Sequence, residues 1–171
     1  MSLLGSTNKE PFDKYDVTIN YDDAANEGDT ISTSAISAAL ISDDSNYAAG
    51  IVGTTGTVIT GTATGGSTTT LIDTSKNFRE EGIREGDLLY NQTQKWVAKV
   101  RKIKTTTNLN DTLEFDTQAS AAANSDTYSF NVLRITIQAG TDGADFRVTA
   151  QATMTSGMQF EDEFLVHVTD H

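Results

Sequence analysis

Cysteine is absent from the 171 residues, which removes disulfides, thiol nucleophiles and thiolate metal sites. Histidine occurs only at His167 and His171, too few for a multi-histidine metal centre. Basic residues are also scarce. Twelve Lys and Arg stand against 24 Asp and Glu, a formal net charge of -12. A chain so acidic gains nothing from a phosphate backbone, so no nucleic-acid partner is expected. No apolar run approaches the roughly 20 residues needed to span a bilayer, and none opens the chain behind basic residues as a secretory leader would. Neither a membrane partner nor a leader is therefore expected. Helical signals are scarce as well, so little remains for a helical fold.

What the chain does have is threonine, 27 residues of it, and 13 glycines. β-Branched side chains suit a pleated strand, and glycine supplies turns with positive φ. The two best helical stretches, Ser32 to Ala39 and Ser75 to Glu81, are short and poorly amphipathic. The fold class expected is all-β.

Residues 1–14 show no periodicity and read as a flexible N-terminal arm, ordered only when something docks it. Tyr15, Val17, Ile19 and Tyr21 then alternate with polar residues, a half-buried strand. Asp22 to Asp29 reads as an acidic loop, followed by two weak strands over Thr30 to Ile36 and Ala38 to Ser42 and another at Thr57 to Thr60. Gly65-Gly66-Ser67 reads as a hinge or boundary. Near the other end, three apolar rows are legible: Leu133/Ile135/Ile137, Phe146/Val148/Ala150/Ala152/Met154 and Phe160/Phe164/Val166/Val168. Asp142-Gly143 and Ser156-Gly157 lie in the gaps and give hairpin signals. Three consecutive antiparallel strands covered by a layer from the N-terminal strands would form a small sandwich of immunoglobulin-like character over residues 15–66 plus 132–171.

Residues 67–131 read as an inserted small β module. Short strands are expected at Thr68 to Ile72, Leu88 to Tyr90, Trp96 to Ile103, Leu113 to Phe115 and Tyr128 to Phe130, forming a small barrel or curled sheet. The alternation Trp96, Ala98, Val100 slips before Ile103, which predicts a β-bulge at Arg101-Lys102. Trp96, Phe78, Tyr90, Phe115, Tyr128 and Phe130 are the expected module core, with a carbohydrate platform as the alternative use of the aromatics.

Few groups invite chemistry. His167 alternates out of its apolar row, and no serine or carboxylate motif pairs with it for nucleophilic catalysis. The carboxylate clusters Asp22-Asp23, Asp43-Asp44, Asp142/Asp145 and Glu161-Asp162-Glu163 could serve as glycosidase pairs or calcium ligands, but no Asp-x-Asp-x-Asp-Gly pattern occurs. Their plainer use is solubility or charge-matched docking. No cofactor, no metal and no enzymatic activity are expected. One interaction surface stands out: Lys95, Lys99, Arg101, Lys102 and Lys104 place five of the twelve basic residues within ten positions. That run reads either as a docking face for an acidic neighbour, including another copy of this chain, or as a charged outer strand face that blocks edge aggregation.

Two stretches carry a resemblance. Lys9-Glu10-Pro11, Tyr15 to Tyr21 and Glu27-Gly28-Asp29-Thr30-Ile31 go with Gly140 to Thr149, Thr155-Ser156-Gly157 and Glu161 to Val168. Together they resemble the small immunoglobulin-like fiber–tail adaptor or neck-associated proteins of tailed bacteriophages. Phe146 stands where that family usually has tyrosine, Thr141-Asp142-Gly143 replaces its commoner turn, and the family usually lacks an insertion such as 67–131. Leu71-Ile72-Asp73, Asn77-Phe78, Gly82-Ile83, Gly86-Asp87, Tyr90-Asn91 and Ala98-x-Val100 are similar to a small β-module recurring in phage structural proteins. The resemblance implies a non-enzymatic structural protein of the virion, at the neck, collar or tail. It would assemble as a ring of copies contacting portal, head–tail adaptor, tail or fiber proteins. The alternative is a capsid decoration or carbohydrate-binding module on the virion surface.

Overall fold

The computed structural model describes residues 2–9, 13–44, 48–53, 56–107 and 110–169. Among these, thirteen strands and one helical turn, α1 (Ala48–Ile51), make the fold all-β, as the threonine-rich composition predicts. The chain divides into two compact units. One holds Met1–Thr18, Ile31–Thr57 and Leu133–His171; the other holds Ile19–Thr30 and Val58–Val132. Three strands carry the division within their length: β2 (Tyr15–Asn20), β4 (Thr57–Thr62) and β11 (Thr127–Ile137).

The first unit contains a four-stranded sheet made of β1 (Ser2–Lys9), β3 (Ile31–Leu40), β12 (Asp145–Met154) and β13 (Gln159–Val168), in the order β1-β13-β12-β3. β12 and β13 form the hairpin that Ser156-Gly157 predicts, with Val148 opposite Phe164 and Phe146 opposite Val166. Gly157 takes φ +88°, and its N–H closes the turn on the Met154 carbonyl at 2.9 Å. The two weak strands expected over 30–42 are one continuous strand, β3, antiparallel to β12 along its length.

Two expectations are corrected here. Ser2–Lys9 is not a free arm but a strand pairing in parallel with β13, from Ser2 opposite Asp162 to Lys9 opposite Val168. Residues 10–12 of the expected arm lie outside the described residues. Nor do the three C-terminal rows form one meander. β11 belongs to a different sheet, ordered β2-β11-β7-β8 with β4 also on β11, where β7 is Leu88–Asn91 and β8 is Trp96–Lys99. The Asp142-Gly143 turn therefore lies on a crossover between sheets. The burial of β11 explains this: from Tyr128 to Ile137 every side chain but that of Arg134 is buried, so both faces are covered. A strand buried on both faces takes a central position, not a hairpin edge.

The core of the first unit follows the predicted rows. Leu133, Ile135 and Ile137 of β11 are buried with Phe146, Val148, Ala150, Ala152 and Met154 of β12 and Phe164, Val166 and Val168 of β13. Gly56 marks how closely the layers approach: a Cβ there would lie 2.9 Å from both Ile36 of β3 and Leu133 of β11. This is an all-β sandwich.

The second unit holds another four-stranded sheet, order β5-β6-β10-β9, from β5 (Gly65–Gly66), β6 (Thr70–Ile72), β9 (Lys102–Lys104) and β10 (Thr112–Glu114). Among the described residues no sheet closes into a barrel, so the module has open sheets. Its core joins Ile59, Ala63, Leu71, Phe78, Ile83, Leu89, Ala98, Val100, Ile103, Leu113, Phe115, Ala122, Tyr128, Phe130 and Val132. Ile59 and Ala63 lie before the Gly65-Gly66-Ser67 segment, so that segment is not a boundary. It is a strand: Gly66 pairs with Leu71 at φ +154°, and a Cβ there would strike the Thr70 carbonyl oxygen. Glycine is needed for the close approach of two backbones.

Candidate functional site

The basic run does not make a uniform patch. β8 pairs with β7, whereas β9 pairs with β10 in the other sheet. The slip between Val100 and Ile103 is the point where the chain changes sheets, not a bulge. Val100 still donates to Asp87 and accepts from Gly86, and one residue later Arg101 N–H donates to the Glu114 carbonyl. Both Val100 and Ile103 remain buried, which the extra residue makes possible.

That change of partner divides the cations. Arg101 meets Asp116 at 2.5 Å and Lys104 meets Glu114, both in solvent-exposed positions. The hydrogen bond with Asp116, and then its charge, raise the Arg101 guanidinium still further above the usual range. Lys102 opens β9, opposite Glu114 in register. Lys95 and Lys99 line two different recesses. Among the described residues, Lys95, Lys99 and Lys102 form no ion pair.

Lys95 closes the four-residue loop between β7 and β8 in the left-handed conformation, φ +59°. Asn91 builds this loop: its Oδ1 accepts from Thr93 N–H at 3.1 Å and Gln94 N–H at 2.8 Å, and its carbonyl accepts from Lys95 N–H at 3.0 Å. The adjoining recess, about 420 Å³, is lined by Gly28, Thr30, Tyr90, Gln92, Lys95 and Trp96, among others. Trp96 packs on Phe115 with ring centroids 5.1 Å apart, and its indole N–H is buried with no acceptor among the described residues.

The second recess lies beside an acidic network that the sequence did not announce. Asp22 accepts from Leu88 N–H at 2.8 Å and from the Tyr90 hydroxyl at 3.3 Å. Asn20 donates to Asp87 at 2.7 Å, and Asn131, fully buried, donates to the Asp29 carbonyl at 2.9 Å and to Tyr90 Oη at 3.0 Å. Burial pushes the Asp22 carboxyl above the usual carboxylate range, the charge of Asp87 adds to this, and the donors only partly oppose it. The Tyr90 hydroxyl is likewise pushed up, by burial and then by Asp22. Thus Tyr90, expected among the aromatics of the module core, is buried as expected, and its hydroxyl also anchors the acidic loop. Phe78, Phe115, Tyr128 and Phe130 do form that core, and Trp96 packs against it.

Three further aspartates hold loops of the same unit. Asp73 accepts from the Tyr128 hydroxyl at 2.6 Å and from Ser75, Asp111 from Thr106 and Thr107 N–H, and Asp126 from Asn91, Gln94 and Ala123 N–H. Burial alone would raise the Asp126 carboxyl, but its three donors outweigh burial and hold it below the usual range.

The other candidates are tied into cross-strand contacts. His167 Nδ1 lies 2.7 Å from Asp145 Oδ1, its register partner on β12. Arg147 reaches Asp44 at 2.6 Å and Glu163 at 3.6 Å, and Gln151 donates to Glu161 at 2.6 Å. Asp142 lies beside a shallow recess with Ile41 and Asp145. His171 lies outside the described residues. Among the described residues no three His, Cys, Asp or Glu side chains are grouped to hold a metal ion. Nor is any helix among them long and apolar enough to cross a membrane.

No family model matches the chain, and neither the curated proteins nor the solved structures yield a match.

Proposed function

We propose that this chain is a non-enzymatic structural protein of a tailed-bacteriophage virion, of the fiber–tail adaptor type, located at the neck, collar or tail and assembling in multiple copies. The observation that carries the reading is where the resembling motifs fall. Gly140 to Thr149 is the entry to β12, Thr155-Ser156-Gly157 is the β12–β13 turn, and Glu161 to Val168 is nearly all of β13. The use of the polar groups supports it. Asp22, Asp73, Asp111 and Asp126 accept hydrogen bonds that hold loops, and His167 is bound to Asp145 across strands. A protein that works by shape and adhesion needs its polar chemistry spent in this way. Copies around a ring gain affinity through multivalency, since each bound neighbour raises the effective concentration for the next contact. The test is proteomic and structural: purified particles carry the chain in a fixed copy number, and a reconstruction places it at the neck or tail. Its absence from purified particles refutes the reading.

A second reading, a surface module that binds carbohydrate, is favoured by the recess beside Trp96 with Gln92, Lys95 and Thr30 on its rim. Reproducible glycan-array signals that vanish in Trp96→Ala would select it over the adaptor.

A further inference from the structure

β1 is unlike the other strands of its sheet. It alone pairs in parallel, and its described side chains are exposed or half-exposed except for Lys9. Thr7 and Lys9 share the inner face with Val166 and Val168, so no apolar side chain of that stretch reaches the core. Lys9 Nζ instead donates to the Ala139 carbonyl at 2.5 Å. The ladder shifts register between Leu3 and Ser6, where Gly5 takes φ +135°, and Leu4 beside it is left 50% exposed. Among the contacts that hold β1 are the backbone ladder of β13, the Lys9 amine and the bond from Thr169 N–H to the Lys9 carbonyl. Every one of those partners is present, identically placed, on any other copy of the chain. Exchanging an identical element between copies sacrifices no native contact.

We infer that β1 is an exchange strand: in the assembled protein, Ser2–Lys9 of one copy pairs in parallel with Gln159–Val168 of a neighbouring copy. The inference rests on the multiple-copy reading above and supplies its joining device.

The absence of cysteine makes the test clean. Ser6 lies opposite Leu165 on the outer face, and adjacent strands about 4.8 Å apart fall within disulfide reach. Full-length Ser6→Cys and Leu165→Cys chains, one carrying an affinity tag, are mixed in equal amounts at high concentration and oxidised. Exchange predicts a covalent heterodimer containing about half of the chains, with Asn8→Cys and His167→Cys as a second pair in register. Sedimentation of the wild-type chain is run in parallel. Multimers without heterodimer, while the Ser6→Cys/Leu165→Cys double variant closes fully within its own chain, overturn the exchange and leave the multiple-copy reading standing. A monomer at every concentration overturns the exchange, while the multiple-copy reading stands or falls on the copy number in purified particles.

Discussion

Replacing Tyr128 by Phe removes one oxygen and nothing else from the second unit. Tyr128 and Asp73 are each 1% exposed, and the hydroxyl donates to Asp73 Oδ2 at 2.6 Å. Ser75 bonds only Oδ1, so Oδ2 keeps none of these partners once the hydroxyl is gone. A hydrogen bond to a charged acceptor contributes about 1.5–3 kcal/mol, and stranding a buried carboxylate oxygen puts the loss near the upper half of that range. The ring fills the same volume, so no cavity cost is added. The expected loss is about 2.5 kcal/mol, which lowers the thermal midpoint of a unit this size by roughly 10–20 °C. Trp96 is the only tryptophan in the chain and lies in this unit, so its fluorescence reports the transition without contribution from the other. Gly61 supplies an independent check: a Cβ there would overlap Tyr128 Oη and lie 2.9 Å from Asp73 Oδ2. Gly61→Ala should then destabilise by at least as much, through the same bond. A Tyr128→Phe midpoint within about 2 °C of wild type would refute the assignment of this bond as the anchor of Asp73.

Other expectations concern charge, backbone and boundaries. Asp22 has its folded carboxyl pKa raised, so its contribution is full below the unfolded pKa and is lost as pH rises through the folded one; Asp22→Asn should compare better with wild type at pH 7 than at pH 4 in urea unfolding. Asp126 has the opposite sign: its carboxyl is held low, so its stabilisation is present above the unfolded pKa and lost as pH falls through the folded value. Asp126→Asn should therefore cost most near pH 7, and a reversed order in either variant would overturn the assignment. Gly66→Ala forces a Cβ onto the Thr70 carbonyl at φ +154° and should cost about 2 kcal/mol or more by Trp96 fluorescence. Deleting 67–131 removes most of the core that Ile59 and Ala63 pack in, so the remainder should bind a hydrophobic dye and aggregate in size-exclusion runs. A cooperative, dye-silent deletion variant would show that those two residues need no partners.

The fold was legible where strands have one wet face. Phe146 to Met154 and Phe164 to Val168 alternate cleanly because β12 and β13 present one face to the core and the other outward. β11 was harder. Its Tyr128 to Phe130 and Leu133 to Ile137 parts were recognisable as strands, but they were assigned to different segments, 67–131 and 132–171, with the boundary falling just after Asn131. A buried asparagine can stay inside a strand when its amide is satisfied, and here it donates to Asp29 and Tyr90. β1 was illegible for the complementary reason: a strand held by its backbone ladder carries almost no apolar pattern to read.

The candidate site shows the same limit from the side of charge. A run of five cations is visible in one dimension, but whether it acts as a patch depends on which strands its members pair with. Sheet switching at Val100-Arg101 sends Arg101 and Lys104 to Asp116 and Glu114, and leaves Lys95 and Lys99 beside separate recesses. Carboxylates behave likewise. Asp22, Asp73, Asp111 and Asp126 look like surface charge in a chain of net charge -12, yet each accepts hydrogen bonds from donors brought from elsewhere in the chain or across a turn. The sequence signal that would have found them is local: Asp73-Thr-Ser75 has the spacing of an aspartate that bonds the backbone two residues on, as Asp73 does to Ser75 at 3.0 Å. In a threonine-rich chain with few large side chains, such carboxylates take over from apolar packing the task of fixing loop geometry. Removing such an acceptor, as in Asp126→Ala, is then expected to loosen its loop before it dissolves the sheets.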